Sequence, residues 1–107
     1  MYRLRQWLKH RYQKLTRGFS DDETWNLDMS LADWIIPRLR RFKELATGYP
    51  ADITSFEQWQ AIIDEIIWTF EYIQKESSWS DRHWKRNSKR MEAGLALFAE
   101  YLTGLWW

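Results

Sequence analysis

The side chains best suited to chemistry are two histidines and a scattered set of carboxylates. His10 and His83 belong to no His-x-x-x-His or Glu-x-x-His arrangement, the spacings that put two ligands on one helix face. Asp21, Asp22, Asp28 and Asp33 lie close in sequence, and Asp64 and Glu65 are adjacent. A divalent-ion site would need two of these facing each other across helices. The simpler expectation is helix capping and solvated surface. There is no cysteine, hence no thiolate metal site and no disulfide framework, which fits a reducing compartment. No glycine-rich phosphate loop and no nucleophile-elbow serine occur. The expectation is a protein that is not an enzyme, with no catalytic residue, metal or cofactor.

A second pattern is basic. Arg82, Lys85, Arg86, Lys89 and Arg90 span about two helical turns, and positions 82, 85, 86 and 89 share one side, as needed to follow a phosphate backbone. Trp79 and Trp84 stand near enough to stack on an exposed base. Against this, the net charge is only +1, and an acidic segment follows Pro50. Nucleic-acid binding is therefore the alternative, not the leading expectation.

Tryptophan supplies the leading one. Nine tryptophans in 107 residues are more than a small core readily hides, because this side chain is seldom fully buried. Tryptophan and arginine are the usual anchors of protein interfaces. Trp7, Trp25, Trp68, Trp79, Trp106 and Trp107, with Arg38 and Arg41, are the candidate interface residues. Either a foreign protein or a second copy of the chain fits.

These residues must be positioned by helices. Glycine and proline are scarce and no alternating strand pattern appears. A first helix is expected over 2–16, with Leu4, Trp7, Leu8, Tyr12 and Leu15 as an apolar stripe ringed by bases. Such a helix suits a membrane surface, an acidic partner or the rest of the domain. Gly18 ends it, and Ser20 with Glu23 forms a capping-box pattern opening a single turn over 21–26.

The central helix is expected over 28–47, with Leu31, Trp34, Ile35, Leu39, Phe42 and Leu45 in register, Asp28 as its cap and a left-handed Gly48 at its end. Pro37 lies inside it and lacks an amide proton, which bends or breaks a helix, but the stripe keeps its phase across Pro37, so one kinked helix is preferred to two pieces. A third helix, to about Lys75, is capped by Thr54 with Glu57 or Ser55 with Gln58. Its wide face of Phe56, Trp59, Ile62, Ile63, Ile66, Ile67, Phe70 and Ile73 makes it the most central element. The last helix covers 81–103, with Trp84, Ser88, Met91, Leu95, Phe98 and Leu102 in register. Gly94 and Ala96 allow a close neighbour. The expected fold is all-α: one domain over 1–107, a compact, irregular bundle of about four main helices.

Charge runs in blocks. Residues 1–19 hold Arg3, Arg5, Lys9, Arg11, Lys14 and Arg17 without an acid, and residues 20–34 hold Asp21, Asp22, Glu23, Asp28 and Asp33 without a base. Such blocks arise when basic and acidic helices match rims, or when a polarised surface meets a charged partner. No stretch has the length and apolarity of a membrane span, and the N-terminus lacks a signal-peptide core.

The segment Gly18–Asp28, then Leu31–Lys43 with its Asp33-Trp34-Ile35-Ile36-Pro37-Arg38 run, then Gly48-Tyr49-Pro50, resembles a group of small uncharacterised all-helical proteins encoded by tailed bacteriophages and prophages. Trp59–Phe70 and Glu92–Ala99 are similar to the same group. The resemblance implies a phage or mobile-element origin, expression in a bacterial host cytoplasm, and an accessory or host-directed role. It transfers no functional residue. The combined expectation is a phage-type helical interaction protein that binds a host or phage protein. The alternatives are a nucleic-acid-binding accessory protein or a virion assembly protein.

Overall fold

Helix-forming residues with few breakers give a chain in which four α-helices carry most of the residues. The computed structural model describes residues 2–75 and 81–107, with side chains given for 2–75 and 87–107. The order is α1 (Tyr2–Arg17), a 3-10 turn (Asp21–Thr24), α2 (Leu27–Leu45), α3 (Phe56–Gln74), α4 (Asp81–Tyr101) and a 3-10 turn (Leu102–Gly104). No strand occurs among the described residues. The chain divides into two compact units, Met1–Leu31 and Ala32–Trp107.

In the first unit, α1 ends where Gly18 adopts φ 85°, a left-handed conformation that costs glycine nothing sterically. The Gly18 amide still donates to the Lys14 carbonyl at 3.0 Å. The turn that follows starts at Ser20, whose amide donates to the Glu23 carboxylate at 2.6 Å, the glutamate half of a capping box. The Ser30 hydroxyl donates to the Glu23 carbonyl at 2.7 Å and ties the start of α2 to this turn.

The second unit holds the core. Ala32, Ile35, Ile36 and Leu39 of α2 pack with Ile53 and with Trp59, Ile63, Ile66, Ile67 and Phe70 of α3. Phe42, Leu97, Phe98, Tyr101 and Leu105 close the cluster. The α3 helix contributes the largest buried set, as its wide apolar face predicts. Its cap is the Ser55–Gln58 pair: the Gln58 amide donates to the Ser55 hydroxyl at 3.1 Å.

Pro37 lies within a single helix; α2 continues through it. Three local expectations change. Asp28 is inside the first turn, where it accepts from the Met29 amide at 2.9 Å, and Asn26 takes the position before the helix. Gly48 is not left-handed, because α2 stops at Leu45 and the Ala46 amide still closes on Phe42. The buried face of α2 is Ala32, Ile35, Ile36 and Leu39, leaving Leu31 and Trp34 exposed.

The face of α4 is also rotated from the one expected. Gly94, Leu97, Phe98 and Tyr101 look into the unit, whereas Leu95 and Leu102 are exposed. The cause is the α3–α4 crossing. A Cβ built on Gly94 would lie 1.7 Å from Thr69 Oγ1 and 2.8 Å from Thr69 Cβ. Only glycine permits that approach, and the residues three, four and seven places on then share its side. Thr69 is itself fully buried, and its hydroxyl is satisfied by the Glu65 carbonyl at 2.8 Å.

Candidate functional site

The residues after α4 form the most distinctive concave surface. The turn Leu102–Gly104 sends the chain back so that a Cβ on Gly104 would stand 3.3 Å from Pro50 Cγ. The Trp106 amide then donates to the Gly104 carbonyl at 2.9 Å. Opposite, the loop before α3 is pinned twice. The Ile53 amide closes on the Pro50 carbonyl at 3.0 Å, and the Tyr101 hydroxyl donates to Asp52 at 3.1 Å. Partial burial, with this hydrogen bond to a carboxylate, raises the Tyr101 phenol above its ordinary value, so it stays a donor at neutral pH.

The result is a pocket of about 360 Å³ lined by Thr47, Gly48, Tyr49, Pro50, Trp59, Gly104, Trp106 and Trp107. Trp59 is almost completely buried, whereas Trp106 and Trp107 are 76% and 69% exposed. The lining contains no charged side chain. Its chemistry is that of an aromatic cleft for an apolar or proline-bearing group.

A larger hollow of about 550 Å³ lies between α2 and α3, lined among others by Arg40, Lys43, Glu44, Asp64 and Glu71. Most of its charge is already paired. Arg40 meets Glu71 at 2.6 Å, and Lys43 meets Asp64 at 2.7 Å. A ligand there would have to displace those pairs, which makes the aromatic pocket the better-prepared site.

The other candidates fall in different places. Trp7 and Trp25 are exposed in the first unit, Trp25 at 87%. In the second unit the Arg38 guanidinium lies 4.3 Å from the ring centre of exposed Trp34 and donates to its carbonyl at 2.7 Å. In the sequence Trp34 keeps helical register with Ile35 and Leu39, which assigns it to the buried face; the structure leaves it 57% exposed and buries Ala32 instead. Arg41 pairs with Glu44 at 2.8 Å. Trp68 is partly buried, stacked on Tyr72 at 5.2 Å and covered by Arg90 at 3.8 Å.

Arg90 grips Glu65 through two bonds of 3.0 and 2.8 Å, which lowers the Glu65 pKa and raises its own. Of the basic cluster, Arg90 is thus committed to α3, Lys89 is exposed, and the side chains of Arg82, Lys85 and Arg86 lie outside the described residues. Trp79 lies outside them too.

The carboxylates do not converge. Asp33 accepts from Gln74 at 2.6 Å, and Asp64 and Glu65 pair separately with Lys43 and Arg90. No group of three metal-ligating side chains occurs among the described residues. Asp21 and Asp22 face α1 instead. The Gln13 amide donates to Asp21 at 2.7 Å, Arg17 bonds its other oxygen, and Lys9 stands 3.5 Å away.

The Gln13 and Arg17 contacts hold the Asp21 carboxyl down from 3.8 to about 2. Asp22, bonded by the Ser20 hydroxyl, and Glu23, bonded by the Ser20 amide, are lowered as well. A carboxyl depressed by folding stabilises above its unfolded pKa and loses that contribution as pH falls through the folded one. The attachment of the turn to α1 is therefore expected to weaken between about pH 4 and pH 2. Carboxyl-carbon NMR titration should place the Asp21 midpoint near 2; a midpoint at the ordinary 3.8 would mean that the bonds are not held in solution.

No helix among the described residues is long and apolar enough to cross a membrane. No known protein family, curated protein or solved structure matches the chain.

Proposed function

We propose that this protein is a helical interaction module that binds another protein, and that the pocket framed by Tyr49, Pro50, Trp106 and Trp107 is its anchoring site. The observation that carries the reading is the pair Trp106 and Trp107, standing exposed at the mouth of an uncharged pocket whose floor is Trp59. Aromatic anchors beside a preformed cleft are the usual source of binding energy in protein recognition. The shape suits an apolar or proline-bearing segment of a partner. Exposed Trp34, with Arg38 lying over it, adds a second aromatic patch of the same chemistry.

On the sequence resemblance of Gly18–Asp28, Leu31–Lys43, Gly48–Pro50, Trp59–Phe70 and Glu92–Ala99 to small phage-encoded proteins, we further propose a phage accessory or host-directed factor acting in the bacterial cytoplasm. A role in the virion is the alternative within the same class. We place the protein among binders on the ground of the pocket's aromatic lining.

The test is affinity capture of the tagged chain from bacterial lysate, with and without nuclease, alongside a Trp106→Ala/Trp107→Ala variant. A discrete protein recovered in both nuclease conditions and lost by at least about tenfold in the variant is expected, since two anchor truncations remove on the order of 2 kcal/mol or more. Both residues are exposed, so the variant should keep its fold. Recovery that depends on nucleic acid would move the function to the basic run Arg82, Lys85, Arg86, Lys89 and Arg90.

A further inference from the structure

The unit Met1–Leu31 presents α1 in an unusual way. Its polar side is held by the unit's own acids, and no other part of the unit buries its apolar side. Lys9, His10, Gln13 and Arg17 fall on one side of the helix, and each contacts Asp21 or Asp22. The opposite arc, roughly 140° wide at 3.6 residues per turn, carries Trp7, Leu4, Leu15, Leu8 and Tyr12. Every one of these is more than half exposed, Leu15 at 83%, and α1 contains no buried residue.

Bases mark the margins of this bare arc. Arg3 and Lys14 line one edge and Arg5 the other; among the described residues none of the three is in a salt bridge. Arg11 falls within the arc and lies against Trp7, 5.4 Å from its ring centre, so its stem can run along an apolar surface with its charge at the edge. The first turn of α1 has no acid.

From this we infer that α1 is an interfacial helix that docks on an anionic phospholipid surface, lying parallel to it without crossing it. Leucine and tryptophan would enter the acyl boundary while the flanking arginines and lysine meet the headgroup phosphates. Charge complementarity selects this occupant: of the acids in the adjoining turn, Asp21 and Asp22 are turned to the other side of the helix and occupied there, and Glu23, the acid nearest Lys14, is bonded by the Ser20 amide and hydroxyl. The basic edges on both sides of the stripe suit a plane of negative charge better than a one-sided acidic groove. The inference uses a different surface from the aromatic pocket and stands independently of it.

The test is sedimentation of the full chain with vesicles of equal parts phosphatidylglycerol and phosphatidylcholine, against phosphatidylcholine alone. Binding to the anionic vesicles, weakened as NaCl rises from roughly 0.05 to 0.5 M, is the expected result. Leu8→Glu/Leu15→Glu should reduce the partition by at least about tenfold. Arg3→Gln/Lys14→Gln, which leaves the apolar arc intact, should weaken it on the order of tenfold and flatten the salt dependence. Trp106→Ala/Trp107→Ala should bind as the parent does.

Absence of sedimentation with anionic vesicles at the lower salt would overturn the inference. So would unchanged binding by both α1 variants. Capture of an acidic protein that is lost on Leu8→Glu/Leu15→Glu, without vesicle binding, would assign the face to a protein partner instead.

Discussion

Trp59→Ala is expected to lower the free energy of unfolding by about 3–5 kcal/mol, the range for removing a large aromatic from a packed core. Trp59 is 1% exposed and edge-packed between two rings, Phe42 at 6.5 Å and Tyr101 at 5.5 Å between centres. Small domains have only about 5–15 kcal/mol in total, so the variant would stand near the limit of folding. Urea titration followed by far-ultraviolet circular dichroism reads this directly and avoids the confusion of overlapping tryptophan emission. The contrast is Trp25→Ala, at a residue 87% exposed, which should shift stability by no more than about 0.5 kcal/mol. Equal effects at the two positions would mean that Trp59 does not occupy the core. Trp59 also lines the aromatic pocket, so under the proposed function partner capture should fall with it even at temperatures where the variant remains folded.

Gly94→Ala is expected to cost about 2–3 kcal/mol by overpacking. In an exposed helix interior the same change would gain about 1 kcal/mol, because alanine is the better helix former. The sign therefore reports the crossing itself. Rotating Thr69 about χ1 can move its hydroxyl away from a new Cβ, but the 2.8 Å approach to Thr69 Cβ does not depend on that rotation. The α3 and α4 backbones must separate, disturbing the edge-to-face pair Phe70–Phe98 at 5.1 Å and the Arg90–Glu65 grip. Urea midpoints of Gly94→Ala and Gly94→Leu should fall in that order; a more stable alanine variant would refute the close crossing.

Much of the helical framework was legible because its causes are local. Gly18 stops α1, the Ser20–Glu23 pair opens a turn, and Ser55 caps α3, each through bonds between residues a few positions apart. What periodicity could not settle was the face each helix buries. On α2 the pattern Leu31, Trp34, Ile35, Leu39 and the pattern Ala32, Ile35, Ile36, Leu39 are both helical stripes, and bulk favours the first. The structure buries the second, with Ala32 fully buried and Trp34 left outside, under Arg38. On α4, Met91, Leu95 and Leu102 hold good register, yet Gly94 decides which side meets α3.

The candidate site shows the same division. Trp106 and Trp107 stood out in the sequence as an unusual pair near Gly104, but nothing there connected them to Tyr49 and Pro50. That connection is long-range: it depends on Gly104 passing Pro50 and on Tyr101 reaching Asp52. The basic residues of α1 were equally plain, whereas their sorting into a side held by Asp21 and Asp22 and a side left with the apolar stripe needed the turn after Gly18 in three dimensions.

By itself, then, the sequence determined the all-helical class, the helix positions to within a few residues and the surplus of tryptophan. Only the tertiary structure decided which tryptophan is core and which is surface, which charges are spent on each other, and where an open pocket forms. The physical reason is that propensity and capping act within a turn or two of helix, whereas burial depends on how closely two helices can approach. In this protein the closest approach, between α3 and α4, is governed by a small residue, Gly94, more than by the large ones around it.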